Sequence, residues 1–439
     1  MKRLFADHAY GPGPRAGCWW DDTCDMPAGE PLDGGASCDV VLVGAGFTGV
    51  SAALHLARAG VSVIVLDAQR IGWGASGRNG GFCCLGGGIA TDAVLDRRFG
   101  RAGRLAWREA EKAAVHCVDD LIGALKLDVD RHSKGETLLA HTARQARGFD
   151  IAATRIEENH GVTPDIIDRP DLMVAGFGGP FHRALTTPIG FGLNPRKYLA
   201  GLVAAAQAAG VRFCDETPVE AVQTDGVATP RGTVRAGRVI VATNGYSSED
   251  IPGWMAARYL PVQSNVLVTA SISPKDRDAQ GWTTDQMCYD TRNLLHYFRM
   301  LPDGRFLFGM RGGLRSSPAA DRGAQRRILR DFRRMFPAWH HIPVTHAWSG
   351  MACLAPGLLP CVGPMPGQPT TLVGFAYHGN GVAMGSLTGS ILADLVLGKT
   401  PAVYPDAMRP TPQRFPLGRW RRALLPPAYA LSQLVDALP

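Results

Sequence analysis

Apolar residues change their spacing several times along this chain, and each change marks an element. Residues 40–43 are a short β-branched run, the pattern of a strand buried on both faces. From Phe47 to Ala59 apolar positions recur at helical spacing, and Gly60 closes that helix. A second apolar run, 61–66, stops at Asp67. These three predict a strand–helix–strand unit. Residues 91–127 read as helix, with Leu105, Val115, Val118, Leu121, Ile122 and Leu125 on its apolar face. A strand at 138–140 and a helix at 143–160 follow, and a further helix starts at Asn194, with Pro195 in its first turn, and ends at Gly210. Strands are predicted at 211–213, 218–222 and 239–243.

The middle of the chain changes character. Residues 260–311 are strand-like, with a turn at Pro302, Asp303 and Gly304. A charged helix is predicted at 322–336, a glycine- and proline-rich stretch after Pro343, a strand at 371–375, a loop, and an apolar helix at 383–397. The tail is partly amphipathic; packing on the protein surface is expected, with a membrane surface as the alternative. The element order predicts an α/β unit joined to an α+β unit: a Rossmann-like dinucleotide-binding domain interleaved with an antiparallel-sheet substrate domain. The expected boundaries are an arm at 1–36, a dinucleotide-binding domain at 37–109, 190–259 and 346–400, a substrate domain at 110–189 and 260–345, and a tail at 401–439.

Composition narrows the class. The chain has 439 residues, 46% hydrophobic and 19% charged, which suits a globular protein with a large core. Its net charge of +7 is modest, and no dense basic block precedes the last quarter, so nucleic acid is not an expected partner. No run of about 18 apolar residues could span a bilayer, and no apolar h-region follows Lys2 and Arg3. The ten cysteines lack zinc spacing, and Cys83 and Cys84 are adjacent, so reduced thiols and a cytoplasmic location are expected.

The first turn carries the clearest chemistry. Gly44, Gly46 and Gly49 are spaced G-x-G-x-x-G between a predicted strand and helix. Gly44 permits the tight turn, Gly46 lets backbone amides approach a pyrophosphate, and Gly49 lets helix and strand pack closely. The helix N-terminus offers positive dipole and free N–H groups to phosphates, and Asp67 sits where a carboxylate would accept from a ribose. NAD and FAD both use such a unit. The glycine-rich stretch after Asp67 has neither period, and so long an irregular segment is usually functional.

Four stretches in order, the fingerprint at 44–49, GASGRNGG at 74–81, VIVATNGYS at 239–247 and GFAYHGNGVAMGS at 374–386, resemble the FAD-dependent amine and amino-acid oxidases of the D-amino-acid oxidase superfamily. GASGRNGG, YDTRNLLHYFRMLPDGRFLFGMR and the WSG…P…VGP stretch are most similar to its gamma-glutamylputrescine oxidoreductase branch. The resemblance implies FAD at Gly44, Gly46, Phe47, Thr48 and Gly49, with Asp67 and Ala68 at its ribose. It implies that Gly74, Ala75, Ser76, Arg78, Asn79, Gly80 and Gly81 pass between flavin and pyrophosphate. Val219 is expected near the adenine, Thr243 and Asn244 at a strand end beside the first unit, and Gly379, Asn380, Gly381, Val382, Ala383 and Met384 at the flavin's pyrimidine edge. Many relatives attach flavin through a cysteine where Gly350 stands here; Cys353 is out of register and no histidine lies in 71–90, so noncovalent FAD is expected. The turn Ala355, Pro356, Gly357 also lacks the aspartate common after that proline.

The implied reaction is oxidative deamination of a small amine or N-substituted amino acid. Hydride leaves the carbon next to nitrogen for flavin N5, the imine hydrolyses, and oxygen reoxidises the flavin to give hydrogen peroxide. The alternatives are an amine dehydrogenase with another electron acceptor, and a flavin-dependent RNA-modification module. A nicotinamide dehydrogenase would leave 374–386 without a role. Arg311 is the expected substrate anchor, able to grip a carboxylate bidentately; Tyr297 and His378 are further candidates. No catalytic base is identified. The expected partners are the amine or amino-acid substrate and either oxygen or an electron carrier, and the oligomeric state stays open.

Overall fold

The computed structural model describes residues 1–410 and 413–438. Its first sheet runs, in spatial order, Cys361–Met365, Gln368–Phe375, Gly232–Val241, Ala36–Val43, Val63–Leu66 and Arg212–Cys214. The four central and last strands pair in parallel, with Val40 opposite Val63 and Val41 opposite Val239. Parallel strands are covered on both faces. Val40 and Leu42 enter the core under helices Phe47–Arg58, Pro195–Ala208 and Gly381–Val396. Val41 and Val43 enter a second core on the opposite face, with Val227, Tyr259 and Phe375. This double burial is why the run carries no polar residue.

Two close approaches lock this unit. A methyl at Gly49 would lie 1.9 Å from Gly44 O, so the first helix sits directly on its own turn. A methyl at Gly389 would lie 2.6 Å from Ser51 Cβ, so helices Phe47–Arg58 and Gly381–Val396 pack almost backbone to backbone. Their N-termini therefore emerge side by side.

The second sheet runs Val344–Leu354, Leu260–Thr269, Phe306–Arg311, His296–Met300, Met287–Asp290, Glu136–Leu139, Arg183–Thr187 and Asp165–Asp168. Every neighbouring pair is antiparallel except Met287–Asp290 with Glu136–Leu139. Strand alternation sends Phe298, Phe306 and Phe308 to one face, where they meet Trp282, Phe332, Phe336 and Trp339. The amphipathic helix Pro318–Met335 covers that face. The other face turns Ser264, Gly309, Arg311, Tyr297, Tyr289 and Glu136 toward the first sheet.

Several expected bounds change. The helix expected at 143–160 is two, Ala143–Ala146 and Phe149–His160, divided at Gly148. The long helix Asp92–Leu125 runs through the expected domain boundary at 109/110, and Leu95, Trp107, Ala110, Val118 and Leu121 all sit in the first core. The glycine- and proline-rich stretch after Pro343 begins as a strand: Val344–Leu354 pairs along its length with Leu260–Thr269, which places 346–354 in the second sheet. Pairing with a long apolar neighbour overrides the weak strand propensity of its glycine and serine. The helix expected from 322 starts at Pro318, because the Ser317 hydroxyl caps Ala320 N–H. The tail forms a helix, Leu425–Asp436, whose Leu425, Ala428, Tyr429 and Ser432 face inward over the space between the sheets. No helix among the described residues is long and apolar enough to cross a membrane, and none of their His, Cys, Asp and Glu groups could hold a metal ion.

Candidate active site

Between the two sheets lies a cavity of about 710 Å³, the size of a cofactor or small-molecule site. Gly44, Gly46, Phe47 and Thr48 form its floor, beside Asp67 and Ala68. Gly46 has no side chain with which to cap the helix, so its first-turn amides beyond Phe47 N–H stay available to an anion. Ser76 Oγ accepts from Phe47 N–H at 2.9 Å and ties the glycine-rich loop to that helix start. Gly49 lies below the turn, in packing contact with Gly44, and is not part of the cavity wall.

Asp67 does more than face the cavity. Its carboxylate accepts from Ala45 N–H at 2.8 Å and from Gln69 N–H at 2.9 Å, closing the turn it follows. Burial pushes this carboxyl up to about 6, against the two amides that hold it down. Val219 lines the cavity on the same side, as do Thr243 and Asn244. Asn244 Oδ1 accepts from Ala376 N–H at 2.9 Å, which joins the end of strand Gly232–Val241 to the chain before His378.

The loop at Gly74, Ala75, Ser76, Arg78, Asn79 and Gly80 forms the middle of the wall. It is laced to itself: Asn79 donates to Ala75 O and Ser76 O at 3.1 and 3.0 Å and accepts from Gly81 N–H at 2.7 Å. Gly81 is turned behind the loop, where Leu193 N–H donates to its carbonyl, and does not face the cavity. Arg78 is only 2% exposed. Its guanidinium donates to Trp73 O and to Ser349 O at 3.1 Å, so its charge serves backbone carbonyls. A methyl at Gly350 would lie 2.9 Å from Arg78 Cδ, so the glycine makes room for that side chain.

Gly379, Asn380, Gly381 and Val382 line the far end, while Ala383 and Met384 are buried in the helix behind it. Asn380 turns its side chain to Leu85 O and leaves the helix at Gly381 without a side-chain cap. Two uncapped helix N-termini therefore open into one cavity. The expectation that His378 does chemistry does not survive its partners. Ala355 N–H donates to His378 Nε2 at 3.2 Å, which fixes the tautomer in which Nδ1–H donates to Gly87 O at 3.1 Å. Burial pushes the imidazole down to about 4. Both ring nitrogens are occupied, and the ring ties three segments together as a neutral positioning residue.

The second sheet supplies the opposite wall. Tyr297 bonds Ser264 Oγ at 2.9 Å and lies so close over Gly309 that a methyl there would sit 2.0 Å from its ring. Arg311 follows on the same strand. Among the described residues its guanidinium forms no hydrogen bond or ion pair, and burial lowers its pKa. Residues beyond the sequence expectations complete the wall: Glu136, Tyr289, Trp73, Tyr246, the tail residue Tyr429, and Arg3 and Tyr10 of the arm. The arm and tail carried no motif. An acid at the end of an otherwise apolar strand, Glu136, was the one signal available.

The donor set fits a dinucleotide: two helix N-termini, a glycine turn and a ribose-side carboxylate share one elongated cavity. Residues 39–395 match the family model described as DAO, FAD dependent oxidoreductase. A protein named "Probable oxidoreductase OrdL" from Rhizobium meliloti (strain 1021) is 30% identical over 393 residues, covering 87% of this chain and 88% of that protein. A gamma-glutamylputrescine oxidoreductase from Escherichia coli (strain K12) is 27% identical over 373 residues, 84% of this chain and 86% of that one. A glycine oxidase structure from Geobacillus kaustophilus shares the fold, with a TM-score of 0.71 at 20% identity over 86% of this chain and 99% of that one. The match spans both sheets and every cofactor-side segment of the cavity, and the chain belongs to the DAO family of FAD-dependent oxidoreductases.

Proposed function

We propose that this enzyme binds FAD without a covalent bond and oxidatively deaminates a small amine that carries a carboxylate, with oxygen as the final acceptor. The observation that carries the reading is Arg311, a largely enclosed guanidinium on the cavity wall with no partner of its own among the described residues. A desolvated cation of this kind calls for an anion. Bound FAD supplies the two-electron acceptor for the carbon next to nitrogen. The chain's own part is to hold the carboxylate at Arg311, to present the amine against the Tyr297 wall, and to exclude water with the tail helix. With His378 committed to backbone groups, orientation rather than proton abstraction is the protein's contribution. The uncapped helix at Gly381 offers amides and positive dipole to negative charge developing on the cofactor.

Noncovalent attachment is supported by Gly350, which offers no side chain to bond, and by the engagement of Arg78 beside it. The ten free cysteines support a reducing, cytoplasmic setting. The test has three parts. Acid precipitation should leave the yellow flavin in the supernatant. An amine panel read by peroxide release should favour carboxylate-bearing amines over simple amines. Flavin reduction without peroxide on reoxidation would transfer the reading to a dehydrogenase with another acceptor, and no flavin reduction by any amine would end it.

A further inference from the structure

Glu136 is a charged residue type in the cavity wall with no cation paired to it among the described residues. It opens the strand Glu136–Leu139 and is 7% exposed. Arg108, the cation paired with the neighbouring Glu111, is committed to that residue at 2.8 Å and to Asp92 at 2.7 Å. The groups that face Glu136 are the Cys84 thiol, which hydrogen-bonds it, Tyr289 on the neighbouring strand, Cys83, and the already paired Glu111. None of these is a cation. Nothing about the strand requires an acid here, since a leucine or threonine would fill the same place in the sheet.

Register sets what the acid faces. Glu136 lies opposite Met287, Tyr289 opposite Tyr297, and Tyr297 opposite Gly309, two residues before Arg311 on the same side of its strand. One sheet face therefore carries a free acid at one position, a free cation three strands away, and the Tyr289 ring between them. Tyr289 and Cys84 each interact with both charged groups. No hydrogen bond or ion pair links Glu136 to Arg311.

We propose that Glu136 is a specificity-determining residue that binds a protonated nitrogen of the substrate while Arg311 binds its carboxylate. The substrate class is then a zwitterion, an amino acid or amino-carboxylate whose cationic nitrogen and carboxylate span that face. This rests on the proposed amine oxidation at the same site. Before ligand enters, the acid keeps its proton, because burial holds the carboxyl at about 8. An arriving ammonium takes the place of that proton, which passes to solvent, and an ion pair forms without a net buried charge.

The experiment uses anaerobic holoenzyme and three probes: propionate, butylamine, and the series of unbranched amino-carboxylates from glycine to 5-aminopentanoate. Binding is read by calorimetry and by perturbation of the flavin absorbance, neither of which needs turnover. Glu136→Gln replaces a neutral acid by a neutral amide of the same shape, so its flavin content should match the parent and its melting temperature should be no lower. It should weaken the best amino-carboxylate roughly ten- to a hundredfold, the scale of a hydrogen bond to a charged group, and leave propionate unchanged. Arg311→Lys should weaken propionate and the amino-carboxylates alike. Unchanged amino-carboxylate binding in E136Q, with the Arg311→Lys loss intact, would overturn the role of Glu136 and leave the carboxylate site standing. Equal loss of all three probes in E136Q would make Glu136 structural and also overturn it. If neither variant alters any probe, the proposed substrate site itself is wrong.

Discussion

The Arg78 guanidinium lies 4.2 Å from the centre of the Trp73 ring and donates two N–H groups to the carbonyl of that same tryptophan. A third donor reaches Ser349 O, on the second sheet. One side chain thus closes the glycine-rich loop and ties it across the cavity. Lysine is a point charge without the planar fork, so it could neither stack in the same way nor bridge both carbonyls. Arg78→Lys should lose on the order of 1.5–3 kcal/mol of loop order. The measured result should be low flavin occupancy after purification and an equal proportional loss on every amine. A selective loss on carboxylate-bearing amines would instead make Arg78 the substrate anchor.

Arg311 should behave in the opposite way. Among the described residues its cationic group has no internal bond to lose, so Arg311→Lys should keep its flavin spectrum and melting temperature. Losing a buried charge-assisted pair costs on the order of 2–5 kcal/mol of binding, roughly a thirtyfold to several-thousandfold fall in kcat/KM for carboxylate-bearing amines. Simple amines should suffer much less. Equal losses on both classes would mark a structural arginine.

Asp67 combines two duties. Because it holds Ala45 N–H and Gln69 N–H, Asp67→Ala leaves two backbone donors at the turn without their partner. The protein should purify soluble but flavin-poor, with stability lower by about 1–3 kcal/mol. Normal flavin occupancy in this variant would show that the carboxylate holds the turn and nothing else.

The contrast between these residues explains what the chain made legible before its structure. Val40 to Val43 could be placed because both faces of that strand are covered, which leaves an unbroken apolar run. Residues 260–311 likewise read as strands, but that Phe298, Phe306 and Phe308 share one aromatic face emerged only with the structure. His378 was misjudged because its role depends on Ala355 N–H and Gly87 O, backbone groups that no side-chain pattern reports. Glu136 offered only the signal of an acid at the end of an apolar strand, because sheet register alone brings it onto the same face as Arg311. The strand Val344–Leu354 exists through its partner, not through its own composition.

Glu136 should also mark the pH dependence of stability. Its folded-state value of about 8 lies above the ordinary glutamate value of 4.5, so folding takes up a proton on this group. Its favourable contribution is complete below pH 4.5 and lost as pH rises through about 8. The full change is on the order of 5 kcal/mol at 1.36 kcal/mol per unit. Glu136→Gln cannot ionise, so its melting temperature should gain on the parent steadily between pH 5 and pH 9. Parallel curves for the two proteins would mean the carboxyl is ionised at neutral pH in the ligand-free protein.

The tail helix gives the last prediction. Leu425, Ala428, Tyr429 and Ser432 form one helical stripe over the cavity, with Tyr429 beside Gly312 and within electrostatic reach of Arg311. The opposite face leaves Leu431 and Leu434 exposed, so apolar packing alone does not hold the helix down. Its anchor is Asp436, whose carboxylate accepts from Asn293 N–H at 2.9 Å, Asn293 Nδ2 and Leu294 N–H at 3.3 Å. Three N–H donors on one carboxylate, at the far end of a helix of three turns, make a latch. Asp436→Ala should release it at a cost of about 1.5–3 kcal/mol to the docked state. The docked fraction should fall, and with it the exclusion of water from the substrate end of the cavity. KM should rise by about ten- to a hundredfold on that scale, while flavin content stays normal, because the cofactor-side segments lie on the first sheet. Limited proteolysis should cut between 413 and 438 faster than in the parent, and a saturating non-oxidisable carboxylate should slow that cutting by drawing Tyr429 back over Arg311. Parent-like KM together with rapid cleavage would separate the helix from the substrate cavity altogether.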